Sequence, residues 1–374
     1  PRCGVDVRPG IPASRTMPHR SRADDMREHL VELLEKLLIT HSPGGQEEEI
    51  DSIIREALPP GIGELVQDPH GNLYVHIPGQ QSGPLSVVAA HKDELSVVVR
   101  KIDPDGKMWI EPVGGMLPGK FGEGPFDLIT RTGVIEGVLC MGSTHSSSLS
   151  GRVHQIKTGA ISWDIVYLDC KLTGDELRDQ GVLVGDRAVV GRRRKPPLFL
   201  PNDHVAGHAL DDKAAVAVLL LLARELLQTP PIHDLCLAFT AAEEGGVSGG
   251  AYLSRQLNPH DLIAVEVAPI AEEYPITMSS APVLLFKDAI YHYSTPLTHE
   301  LLDAGQRVGL SCQTAVVRSF GSDASISTKA GLVGRAACLC FPTENTHGYE
   351  ITMLPALENC VRLLASHLTS SNNN

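Results

Sequence analysis

The apolar positions of this chain change their period in an orderly way. Met26, Leu30, Leu33, Leu34, Leu37 and Leu38 recur at helical spacing, which predicts an amphipathic helix over 24–39. Ser42-Pro43-Gly44-Gly45 breaks that pattern, and Ile50, Ile53, Ile54 and Leu58 mark a second helix. Asp68-Pro69-His70-Gly71-Asn72 is a turn sequence ahead of a strand at 73–77. Residues 85–90 are almost wholly apolar, as a buried central strand is, and they end at His91.

From Val97 to about Asn202 the texture differs. Short β-rich runs, such as Gly133-Val134-Ile135, Ile165-Val166-Tyr167-Leu168 and Ala188-Val189-Val190, alternate with turns such as Asp103-Pro104-Asp105-Gly106. One short helix is expected near 173–178. The helix-and-strand pattern then resumes. Residues 211–227 are apolar nearly all round, hence a buried helix. Strands are expected at 235–240, 262–267, 282–287, 313–317 and 336–341, with helices at about 249–256, 296–307, 322–330 and 355–368. This reads as an α/β domain in two parts, 24–97 and 203–368, interrupted by a small β-barrel-like insertion at 98–202. Residues 1–23 and 369–374 read as tails, the first as a disordered segment or an upstream extension.

Composition narrows the classes. At 374 residues the chain is too long for one ordinary core, and 42% hydrophobic with 21% charged residues is the make-up of a soluble globular protein. A net charge of -13 argues against nucleic acid or an anionic membrane as partner. The one basic run, Arg192-Arg193-Arg194-Lys195, reads as a solvated loop. No apolar stretch reaches membrane-spanning length, and the first residues lack the apolar core of a secretory signal. Eight irregularly spaced cysteines, with no C-x-x-C pair, read as buried free thiols and fit a reducing cytoplasm. Cys338 and Cys340 would share one face of a strand, a core pattern more often than a ligand pair.

Candidate chemistry gathers where strands end and helices begin. His91-Lys92-Asp93-Glu94 follows one strand, and Leu210-Asp211-Asp212-Lys213 opens the buried helix. Glu243-Glu244 lies past a second strand, Glu266 ends a third, and His347 follows a fourth. In an open α/β sheet those ends line one crevice. Two imidazoles and several carboxylates there suggest a dinuclear metal site. Two divalent ions can hold a bridging hydroxide at neutral pH. They need about two ligands each, one shared carboxylate, and a further carboxylate to carry a proton to the leaving group. His91, Asp211, Glu244, Glu266 and His347 offer five ligands, and Glu243 the proton carrier.

These segments resemble the tetrahedral aminopeptidase family of dinuclear zinc or cobalt peptidases, which includes glutamyl and deblocking aminopeptidases. The matching stretches are His91-Lys92-Asp93-Glu94, Glu111-Pro112-Val113-Gly114-Gly115, Val166-Tyr167-Leu168-Asp169, Gly181-Val182-Leu183-Val184-Gly185-Asp186, Ala209-Leu210-Asp211-Asp212-Lys213, Glu243-Glu244-Gly245 and Gly321-Ser322-Asp323-Ala324. The resemblance implies a mixed-sheet, phosphorylase/hydrolase-like catalytic domain with the inserted barrel as its assembly domain. It implies that His91 and Glu266 hold one metal, that Glu244 and His347 hold the other, and that Asp211 bridges both. Glu243 would be the general base, and Asp93 would orient a ligand. Two divalent ions per chain follow, zinc first, with cobalt or manganese as alternatives. Short peptides would be the substrates, and homo-oligomers from dimers up to dodecamers the assembly. The chain departs from the family twice. Glu266 stands where an Asp is usual, and Glu344-Asn345-Thr346-His347-Gly348-Tyr349-Glu350 replaces an aromatic-rich run before His-Ser-Pro.

Blander readings stand beside these. A single His after a strand is usually a loop residue, and an Asp at a helix start is commonly its N-cap, a role open to Asp212. His233, His292 and His299 are given no role. Gly246-Val247-Ser248-Gly249-Gly250 matches a hydrolase nucleophile elbow, with Asp323 and His347 in triad order, but Ser248 lies well past its strand rather than at the sharp turn. The expected function is a metal-dependent aminopeptidase. A carboxypeptidase or deacylase of the same chemistry, a catalytically inactive binding relative and a carboxylate-pair glycosidase are the alternatives.

Overall fold

One sheet of eight strands carries the fold, in a computed structural model that describes residues 22–145, 151–159 and 161–370. Most of the N-terminal tail, Cys3 among it, and residues 371–374 lie outside the described residues. The sheet order is Leu65–Gln67, Leu73–Ile77, Leu235–Thr240, Ser86–His91, Asp261–Pro269, Arg335–Thr343, Val283–Lys287, Gln313–Val316. The four strands from Leu235–Thr240 to Arg335–Thr343 run parallel. Antiparallel partners on either side, Leu73–Ile77 and Val283–Lys287, make the sheet mixed.

The parallel strands are covered on both faces, which is why their sequences do not alternate. Val88 and Ala90 face a core with the helices Arg22–Leu38, Leu210–Gln228 and Leu354–Thr369; Val87 and Ala89 face the other, with Ser248–Leu257 and Asp323–Lys329. Every residue from Leu210 to Ala223 is buried, as the all-round apolar pattern requires. Parallel direction places the C-terminal ends of Ser86–His91, Leu235–Thr240 and Asp261–Pro269 along one edge, so polar residues at or near those ends meet there.

Six further strands close a barrel in the order Ser96–Ile102, Met108–Val113, Tyr167–Asp169, Gly133–Cys140, Gly124–Thr130, Arg187–Val190. Val97, Val99, Ile110, Phe126, Leu128 and Leu168 fill it. The short helix expected near 173–178 is Gly174–Asp179, started by a capping box between Thr173 and Glu176. The sequence pattern did not reveal the four-residue helix Pro118–Phe121 or a small sheet of Leu198–Leu200, His204–Gly207 and Glu350–Met353. Elements this short show no periodicity. Leu198, Phe199 and Leu200 form a free sheet edge and are exposed. The seven cysteines among the described residues are free, and Cys338 and Cys340 are both buried, with sulfurs 3.4 Å apart.

The basic run at 192–195 is only in part the solvated loop its composition suggests: Arg192 and Arg193 are exposed, and Lys195 is not. It folds as a helical turn, and Lys195 is wholly buried. Lys195 Nζ donates to Thr40 O at 2.6 Å, to His41 Nδ1 at 2.9 Å and to Glu94 Oε1 at 2.7 Å, so all its N–H groups are used. Lys213 Nζ adds a bond to the same Glu94 oxygen at 3.3 Å. His41 Nε2 in turn meets Asp127 Oδ2, in a barrel strand, at 2.9 Å. Outside this cluster, Arg192 pairs with Glu49 and Arg193 with Glu136. Buried charge needs a partner at each step, and this chain of partners ties barrel to sheet.

Burial pushes the Glu94 carboxyl up, but Lys195 and Lys213 outweigh it and hold it down to about 2. A folded pKa below the unfolded one stabilises the fold at neutral pH, and that contribution falls away as pH drops from about 4.5 towards 2. Replacing Lys195→Met breaks a buried pair and should cost about 3–5 kcal/mol in urea unfolding at neutral pH. Between pH 4.5 and about 2 the variant should lose less stability than the wild type, because Glu94 is no longer held so far below its unfolded value. Equal unfolding curves at neutral and mildly acid pH would show that this ion cluster does not hold the two parts together.

Candidate metal centre

The seven residues singled out in the sequence converge on the C-terminal edge of the parallel strands. His91 is the last residue of its strand, and Glu266 lies within Asp261–Pro269, opposite Cys340 of the neighbouring strand. Asp211 stands at the entry to the buried helix, where its backbone is not yet helical. Glu243 and Glu244 follow Leu235–Thr240 on a loop that turns at Ala242, whose φ is 53°. His347 sits on the loop before Glu350–Met353 with φ at 59°.

His91 Nε2 lies 3.1 Å from Asp211 Oδ1 and 3.9 Å from Glu243 Oε2. His347 Nε2 lies 3.6 Å from Asp211 Oδ2 and 3.7 Å from Glu244 Oε2. Donor atoms of His91, Asp211 and Glu266 all fall within 4.8 Å of one another, and so do those of Asp211, Glu244 and His347. Asp211 belongs to both groups. Glu266, at the position where the resemblance leads to an Asp being expected, reaches the first group.

Asp93 lies 3.4 Å from His91 Nδ1. Its two carboxylate oxygens also accept the N–H groups of Glu243 at 2.8 Å and Glu244 at 3.1 Å, so one side chain touches the histidine and aims the glutamate loop. Asp212 is not a helix cap. Its Oδ2 accepts the N–H of His91 at 3.1 Å, which locks the strand end to the helix entry.

The electrostatics are those of a crowded acidic pocket. Burial pushes the carboxyls of Glu243, Glu244 and Glu266 well above the usual range, and neighbouring carboxylates add to it. Burial opposes a charge on His91, but Asp211 and Asp93 outweigh it and raise the imidazole well above its ordinary value. The donor set fits divalent cations. Glu244 Oε1 and Asp212 Oδ1 are buried with no hydrogen-bond partner, and the oxygen and imidazole donors suit zinc, cobalt or manganese.

Sequence reasoning missed Glu350. Its Oε2 accepts the N–H of Asp211 at 3.0 Å and its Oε1 the N–H of His347 at 2.9 Å, so it braces two of the converging residues. Burial drives its carboxyl up to about 8, with the charge of Asp211 adding. The spacing of Glu350 from His347 was visible; its partner Asp211, far earlier in the chain, was not. The nucleophile-elbow reading fails on geometry. Ser248 Oγ meets His70 Nε2 at 3.0 Å, Asp323 accepts from Thr240 Oγ1 and from the N–H of Gly250, and His347 faces the carboxylates.

The sequence profile of the M42 glutamyl aminopeptidase family matches residues 71–363. A glutamyl aminopeptidase of Lactococcus lactis subsp. cremoris is 25% identical over 271 residues, which span 68% of this chain and 74% of that protein. Among solved structures, a TET aminopeptidase from a marine-sediment archaeon of the Thaumarchaeota superposes with a TM-score of 0.84 at 21% identity, over 92% of this chain and 98% of that one. The TET1 peptidase of Pyrococcus horikoshii, described as able to assemble into a tetrahedron or a large octahedral shell, gives a TM-score of 0.81 at 23% identity, over 91% and 100%. The structural likenesses carry the mixed α/β fold with its barrel, and the profile covers most of the sequence: the chain belongs to the M42 glutamyl aminopeptidase family.

Proposed function

We propose that the protein is a metal-dependent aminopeptidase that removes N-terminal residues from short peptides with two divalent ions. Its family is one of aminopeptidases. The observation that carries the two-metal reading is a pair of donor groups sharing Asp211, with Glu243 3.9 Å from His91 at their edge. In this reading His91 and Glu266 hold one ion, Glu244 and His347 the other, and Asp211 both. Zinc is the first choice, and cobalt or manganese would suit the same donors. When bound, the ions polarise the scissile carbonyl and acidify the attacking water.

The remaining steps belong to the chain's own residues. Glu243 takes the proton of the attacking water and returns it to the leaving amine. Asp93 holds Glu243 in place through its backbone N–H, so the base is aimed without being tied up at its carboxylate. The surrounding acidic groups favour the α-ammonium of a peptide over a blocked N-terminus. The parts at 24–97 and 203–368 are read as catalytic and the insertion at 98–202 as the assembly domain, with barrel strands that themselves run from Ser96 to Val190. The assembly of the Pyrococcus horikoshii relative supports a homo-oligomer, and our reading of its size is a dimer up to a dodecamer. The seven free cysteines among the described residues support a reducing, cytoplasmic setting.

Replacing Glu243→Gln should lower kcat by about 10²–10⁴-fold while metal content stays that of the wild type. A Gln variant with wild-type turnover would remove Glu243 from the role of base. Asp211→Ala should leave protein that holds neither ion, read by elemental analysis; two ions still bound would exclude the bridge. Chelation should abolish cleavage of aminoacyl-p-nitroanilides, zinc or cobalt should restore it, and N-blocked peptides should stay uncut. Cleavage of the blocked peptides from their C-termini would instead make the protein a carboxypeptidase.

A further inference from the structure

The barrel reaches into the metal centre through its four-residue helix, Pro118–Phe121. Lys120 Nζ donates to Asn345 O at 3.2 Å and, more closely, to Thr346 O, the two residues before His347. Its stem crosses Gly348 so tightly that a Cβ there would meet Lys120 Cε at 3.0 Å. Phe121, the next residue, stacks on His208 with ring centroids 6.0 Å apart. His208 Nδ1 meets Gly348 O at 2.9 Å, and its ring meets Tyr349 edge-on at 5.0 Å. Burial drives the His208 imidazole down to about 4, so it is neutral at pH 7 and can donate that single N–H. Just upstream of the helix, Gly115 O lies 3.2 Å from His347 Nδ1, and a Cβ on Gly115 would fall 2.6 Å from the same nitrogen.

The loop that receives these contacts is one that must be held. Asn345 and His347 both adopt left-handed backbone at φ 59°, which is uncommon for residues with a Cβ although Asn and His tolerate it better than most. Glu350 fixes the backbone of His347 from the α/β side. From the barrel side, Lys120 holds the two preceding carbonyls and Gly115 O the imidazole. The His347 side chain is 37% exposed, whereas those of His91 and Asp211 are only 2% and 8% exposed. One donor group is therefore set by the sheet itself, and the other by a loop that the barrel grips.

We infer that Lys120 is a positioning residue: through it the barrel sets where His347 stands, and so the affinity of one metal position, that of Asp211, Glu244 and His347. The inference rests on the two-metal reading above. It makes the two positions unequal in what they depend on. The group of His91, Asp211 and Glu266 needs only the sheet and the helix entry; the group containing His347 also needs the barrel in place.

Cobalt(II) titration of the full-length apoprotein, followed by calorimetry and by visible absorption, separates the cases. Wild type should take up two ions, and uptake of fewer would overturn the two-metal reading rather than the role of Lys120. In Lys120→Ala one affinity should weaken by about tenfold or more and the absorption of that ion should change, while the other affinity and the apoprotein melting midpoint stay put. Lys120→Arg, which can still donate to both carbonyls, should recover most of the lost affinity. Two wild-type affinities in Lys120→Ala would overturn the inference. So would a parallel fall of both affinities and of the melting midpoint, which would mark the lysine as general packing.

Discussion

Mutual repulsion among buried carboxylates is the constraint to which the rest of this structure answers. Asp211, Glu243 and Glu266 are nearly or wholly closed to water, and Glu244 stands beside them. Leaving such charges unpaired would cost several kcal/mol each. The protein does not relieve the crowding by adding basic side chains at the centre. It uses Asp93, Asp212 and Glu350, each of which accepts backbone N–H groups from the crowded residues. That fixes geometry while bringing more acidic groups to the pocket. The balance is completed by cations from outside, and a pocket built this way selects for them.

The basic side chains that do exist near the centre lie one layer behind it. Glu94 belongs to the same segment as His91 and Asp93, and it turns away from the metal centre to meet Lys195 and Lys213. A single strand end therefore supplies both a donor to the centre and the anchor of the barrel. Asp127 and His41 extend the anchor into the barrel wall. The barrel is thus fastened to the sheet at Glu94, while Lys120 fastens it to the loop that bears His347.

Much of this was legible in the sequence because the parallel strands are buried on both faces. Each appears as an apolar run that stops at a polar residue, and those stops are His91, Glu243-Glu244 and the approach to His347. Their convergence follows from strand direction alone. What was not legible depends on pairs far apart in the chain. Lys195 sits in a run of four basic residues, and only its encounter with Glu94 shows that it is interior. Glu350 opens a strand of four residues that pairs with His204–Gly207, too short for any periodic signal. Asp212 resembles a helix cap until the N–H of His91 is found on its oxygen.

The free edge at Leu198–Leu200 has a consequence of a different kind. Three exposed apolar side chains on a strand paired along one side only would ordinarily template the addition of foreign strands. Here Pro196-Pro197 precedes the strand and Pro201 follows it. Proline has no N–H to lend to a ladder, so an intruding strand finds a rung of three residues with a stop at each end. Sticky as it is, that edge cannot seed a long fibre.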